Sequence, residues 1–113
     1  MIQLLEYNIP TVPKIGVDGV KRTSVENEFE IEMYDEAKIL TVAFDQYPFL
    51  SVMVDDEKPK KKYYFRVLLS SCAINKEKAK KMKFIGSFFI AGSSYRIQGS
   101  SGLWHMFLLD KQA

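Results

Sequence analysis

The sequence predicts a mainly β protein, a small antiparallel β-sandwich or barrel of about seven strands with at most one short helical segment. Three observations predict it. Apolar and polar residues alternate with a period of two along much of the chain, which is the spacing of a half-buried strand and not of a helix. Clusters of Gly, Pro, Asn, Asp and Ser separate the alternating stretches. Helix-forming residues gather in one place only, residues 75–83.

Taken in chain order, Ile2-Gln3-Leu4-Leu5-Glu6-Tyr7 reads as an opening strand, and residues 10–24 read as loop-rich with a turn at Asp18-Gly19. The clearest strand follows: Phe29, Ile31 and Met33 share one face, and Glu26, Glu28, Glu30 and Glu32 share the other. After the turn-like Tyr34-Asp35-Glu36, residues 38–44 are apolar and β-branched on both sides. Asp45-Gln46-Tyr47-Pro48 then breaks the chain before residues 49–54, and the two runs are expected to form a hairpin at the sheet centre. Residues 55–61 contain Pro59 and are expected to be a second hairpin loop leading into the strand of residues 63–69. Residues 76–82 have room for two helical turns at most, and so short a helix is marginal alone, which leaves a loop with a helical turn equally open. Strand character returns at residues 84–90. Residues 92–102 read as turns around Tyr95-Arg96-Ile97, and residues 103–109 form the last strand.

At 113 residues, with 47% hydrophobic and 27% charged, the chain has the size and balance of one domain, 1–113, with one core. No uninterrupted apolar run of about 18 residues is present to span a bilayer, so no membrane partner is expected. The first ten residues lack the pattern of a signal peptide, and a cytoplasmic location in the host cell is expected. Cys72 is the only cysteine and His105 the only histidine, which excludes an intrachain disulfide and argues against a structural zinc. Cys72 is expected to be a small buried hydrophobe, and no cofactor is expected.

Charge is divided between the two halves. Residues 1–57 hold 4 Lys/Arg against 12 Asp/Glu, and residues 58–113 hold 12 against 2. Two readings follow: a basic face for an anion, or acidic and basic strands lying side by side in one sheet.

From Phe29 onward the order of patterns is informative. Phe29-Glu30-Ile31-Glu32-Met33 is followed by Ala37-Lys38-Ile39-Leu40-Thr41-Val42, then Pro48 and Val52-Met53-Val54-Asp55. Phe65-Arg66-Val67, Phe84-Ile85-Gly86-Ser87 and Trp104-His105-Met106-Phe107 come next. This order resembles a family of small uncharacterised β-rich domains widespread in bacteriophages and prophages, and the resemblance runs over about 80 residues. The chain departs from the family after Val67, where members usually have a Gly-rich turn and this chain has Ser70-Ser71-Cys72. The resemblance implies a phage-encoded accessory protein and is silent on chemistry.

No Gly-x-x-x-x-Gly-Lys-Ser/Thr loop and no Gly-x-Gly-x-x-Gly fingerprint is present, which disfavours nucleotide hydrolysis and dinucleotide redox chemistry. His105 has no fixed partner in sequence, and the carboxylates on one strand have the spacing of a solvated face, so no enzyme is expected. If Trp104, Met106 and Leu108 are core, His105 faces out with Phe107 and Leu109, giving an apolar outer face suited to an oligomer contact or a second core. Lys62, Tyr64 and Arg66 alternate on one strand face, and Tyr95-Arg96 lies in the Ser/Gly-rich segment. Arginine forks suit phosphate and tyrosine rings suit base stacking. Set against this, Lys62, Tyr64 and Arg66 are equally suited to neutralising Glu28, Glu30 and Glu32 across the sheet.

The leading expectation is a phage-encoded, non-enzymatic binder that sequesters an anionic nucleotide signal of host defence. Its ligand-binding residues would be Lys62, Tyr64, Arg66, Tyr95, Arg96 and His105, and it would be a homo-oligomer, most simply a two-fold dimer. The alternatives are an inhibitor that meets a host protein through the acidic strand, a nucleic-acid-binding protein using the lysines of residues 76–83, and a virion accessory protein.

Overall fold

Alternation in the sequence becomes alternation in burial. The computed structural model describes residues 1–15, 19, 21–25, 27–70, 72–91 and 102–110, with the backbone alone for residues 12–15 and 21–25. The described strands are β1 (Ile2–Asn8), β2 (Thr11–Ile15), β3 (Lys21–Val25), β4 (Glu28–Tyr34), β5 (Lys38–Asp45), β6 (Tyr47–Asp55), β7 (Lys60–Leu69), β8 (Met82–Ile90) and β9 (Gly102–Leu109), with one helical turn, α1 (Lys76–Ala79), before β8. Seven of the strands form two antiparallel sheets, ordered β1-β6-β5 and β4-β7-β9-β8, while β2 and β3 pair only with each other. The expected mainly β architecture with one short helix is therefore the one observed.

The core lies between the two sheets. Leu50, Val52 and Val54 of β6 and Val42 of β5 point inward from the three-stranded sheet. Met33, Phe65, Val67, Phe88, Trp104 and Met106 point inward from the other. The sheets come closest where β5 passes β8. Gly86 makes this approach feasible, because a Cβ there would stand 2.9 Å from Val42 Cγ2.

Three expectations about connectivity are corrected. Residues 38–54 do form a hairpin, turning at Gln46 with φ 64°, but β6 rather than the hairpin as a whole is central. β1 returns from the start of the chain to take the free edge of β6, which leaves β5 at the sheet margin. Residues 55–61 are not a hairpin loop, since β6 and β7 belong to different sheets. They form a corner, in which an Asx-turn (Glu57 N–H to Asp55 Oδ1, 3.0 Å) reverses the chain and Pro59 accepts from Asp35 N–H at 2.7 Å. Within residues 10–24, expected to be loop-rich, Asp18 of the expected turn lies outside the described residues, while residues 11–15 and 21–24 pair as parts of β2 and β3, with Pro13 opposite Thr23. Their few apolar residues concealed it, since the ribbon shares no ladder with either sheet and carries no core-like run.

The corner that carries the chain from β4 to β5 meets the one from β6 to β7 through the Asp35–Pro59 hydrogen bond and is tied to β7 by one side chain. Tyr63 Oη donates to Tyr34 O at 3.1 Å and accepts from Ala37 N–H at 3.2 Å. A Tyr63→Phe variant is expected to lose about 1–2 kcal/mol, since two half-buried backbone groups lose their partner. The urea midpoint should fall with the slope unchanged.

α1 begins at Asn75, whose side chain accepts from Lys78 N–H at 2.9 Å, an N-cap on a single turn. Cys72, expected to be buried, is exposed on the connection leading to this turn. The chain there runs outside the sheet, so no core is available to it. No helix among the described residues is long and apolar enough to cross a membrane.

Candidate functional site: a lysine groove beside an aromatic sheet face

The outer face of the four-stranded sheet is organised by strand register. Glu28 of β4 lies opposite Arg66 of β7, Arg66 opposite Phe107 of β9, and Phe107 opposite Phe84 of β8. Two residues along each strand, Glu30 lies opposite Tyr64, and Met82 opposite Leu109. The face therefore changes from acidic on β4, to basic and aromatic on β7, to apolar on β9 and β8.

Of the two readings of the charge asymmetry, the cross-strand one describes this register. Arg66 Nη2 stands 3.2 Å from Glu28 Oε2, and Lys62 Nζ stands 3.7 Å from Glu30 Oε1. The Arg66 side chain is only 18% exposed, and its Nη1 donates to Met82 Sδ at 3.6 Å. Both terminal nitrogens of its fork are thus already engaged. A protein-binding surface on the acidic strand would need unpaired glutamates, whereas Glu28 and Glu30 both have basic partners.

Surplus positive charge collects where the start of β7 meets the start of β8. Residues 80–83 leave α1 and enter β8 alongside residues 61–64. The result is a groove of about 320 Å³ lined by five lysines (Lys61, Lys62, Lys80, Lys81, Lys83), Tyr63, Tyr64, Met82, Leu108, Leu109 and one carboxylate, Asp110. Asp110 N–H donates to Lys81 O at 2.9 Å, which ties the end of β9 to this rim. Lys61, Lys62 and Lys80 have ion-pair partners in Asp35, Glu30 and Glu77, at 3.8, 3.7 and 3.4 Å. Among the described residues, no carboxylate forms an ion pair with Lys81 or Lys83. A second opening lies beside it, where Asn75 and Lys78 of the connection stand over Glu28, Arg66 and Leu68.

His105 lies farther along the same face, and both ring nitrogens are engaged. Ser70 Oγ is 2.9 Å from Nε2 and Ser87 Oγ is 2.7 Å from Nδ1. With a neutral ring, one serine donates and the other accepts. The two hydroxyls hold the imidazole in one orientation.

Of the residues singled out from sequence, Lys62 and Tyr64 line the lysine groove, Arg66 borders the neighbouring opening, and His105 sits apart from both. Tyr95 and Arg96 lie outside the described residues. Sequence reasoning noted the lysines of residues 76–83 as a patch, but not that the fold sets them against residues 61–64. It also missed Ser70, Ser87, Phe84 and Phe89. Five positions separate Phe84 from Phe89, so strict alternation would send them to opposite faces. A bulge between Phe84 and Gly86 restores both to the outer face, opposite Phe107 and Leu103.

Compared with protein-family models, with curated proteins and with solved structures, the chain gives no match.

Proposed function

We propose that this protein binds an anionic nucleotide in the lysine groove and holds it without turnover. The observation that supports this reading is the convergence of five lysines on a groove that also presents Tyr63 and Tyr64. Ammonium groups on flexible stems suit phosphate oxygens as point charges, and the Tyr64 ring adds flat apolar surface for a base. Two lysines without carboxylate partners can meet an anion without first breaking an ion pair. The resemblance to phage domains supplies the setting, a phage-encoded protein that lowers the free concentration of a nucleotide signal in host defence.

Isothermal titration against mononucleotides and cyclic nucleotides tests the reading. The wild-type protein is expected to bind at low salt and to weaken as salt rises. A Lys81→Glu, Lys83→Glu double variant is expected to lose roughly tenfold or more in affinity. Its stability should stay within about 0.5 kcal/mol of wild type, because both side chains are on the surface. Equal affinity in the charge-reversed variant would remove the groove from consideration.

A further inference from the structure

The lysine groove continues into a strip of exposed aromatic surface that a single nucleotide would not cover. Phe84 is 57% exposed, Phe89 61% and Leu103 40%, all on the outer face of β8 and β9. Phe107 packs edge-on against Phe84 with ring centroids 5.8 Å apart, and His105 stands 6.2 Å from the same ring. The serines on both imidazole nitrogens fix the orientation of that ring, which lies between the rows of Phe84 and Phe89. Large exposed apolar side chains gathered on one sheet face are unusual unless something covers them.

We infer that the strip is a stacking platform for a short single-stranded oligonucleotide whose phosphates lie in the lysine groove. The inference rests on the nucleotide reading above and extends it from one nucleotide to several. Continuity supports it. Met82 and Leu109, which line the groove, form the register row next to Phe84 and Phe107 on the same outer face. From the row of Phe84 to the row of Phe89 is four residues along β9, roughly 13 Å at the rise of a strand, which leaves room for more than one base. Charge supports it as well. The lysine-rich rim at the end of the strip attracts a polyanion. Stacking on ring faces is tolerant of sequence, so the expected ligand is defined by being single-stranded and not by its bases.

The test compares deoxythymidine monophosphate with a six-nucleotide oligothymidylate, by titration and fluorescence anisotropy, on wild type and on two variants. Phe84→Ala/Phe89→Ala removes the rings. Phe84→Leu/Phe89→Leu keeps apolar bulk without an aromatic face and guards against a folding defect. The oligonucleotide is expected to bind wild type about tenfold or more tighter than the mononucleotide, and both variants to lose that gain while keeping mononucleotide affinity. If the mononucleotide binds but the oligonucleotide gains nothing, or the variants keep the gain, the platform is refuted and the nucleotide groove stands. Absence of binding by either probe overturns both. A wild-type dimer in sedimentation that the variants turn into monomer, with no oligonucleotide gain, would show that a second copy covers the strip and would refute the platform.

Discussion

Phe65→Ala is expected to remove about 3–5 kcal/mol of stability. Phe65 is fully buried between the sheets, directly opposite Phe29 in the β4–β7 register, and the two rings stack with centroids 5.6 Å apart. Truncation leaves a cavity bounded by two sheets whose ladders resist collapse, so little relaxation offsets the loss. A domain of this size has about 5–15 kcal/mol in total, and the variant should be substantially closer to unfolding. Urea titration checks it: the midpoint should drop sharply at an unchanged slope. A fall under about 1 kcal/mol would mean that the sheets repack around the site.

Gly86→Ala is expected to cost about 1–3 kcal/mol by overpacking. The added Cβ would meet Val42 Cγ2 at 2.9 Å and Val42 Cβ at 3.0 Å, and a buried β-branched side chain has little freedom to turn away. The effect should be coupled to its neighbour. In a double-mutant cycle, Gly86→Ala combined with Val42→Ala should be more stable than the sum of the single losses, because the smaller residue vacates the space that the new methyl needs. Additive losses would show that the two positions do not share one contact. The substitution also bears on the site, since β8 carries Met82, Lys83 and Phe84 and moves with Gly86.

Much of the fold was legible. The acidic and apolar alternation of residues 28–33 specified a half-buried strand, and the structure gives it that face. The single cluster of helix formers at residues 76–82 shortens to a four-residue turn because it has no apolar stripe to bury against the sheets. Where the reading went astray, pairing partners were distant. That β1 takes the edge of β6, and that residues 55–61 turn a corner between sheets, depends on pairings distant in sequence, such as Ile2 with Asp55 and Asp35 with Pro59, which no local pattern encodes. Alternation was also blind to the bulge in β8, where one extra residue exchanges the faces of everything after it.

The candidate site divides in the same way. Lys62, Tyr64 and Arg66 were legible as one strand face, and their carboxylate partners were foreseeable from charge alone. The sequence by itself determined the strand content, the acidic and basic halves and the lack of nucleotide-hydrolysis or dinucleotide signatures, because composition and period are local properties. Only the tertiary structure decided which charges cancel and which accumulate. Antiparallel pairing of β4 with β7 neutralises Arg66 and Lys62. The route of the chain through α1 into β8 sets Lys81 and Lys83 beside residues 61–64, and charge adds up only where the backbone brings it together.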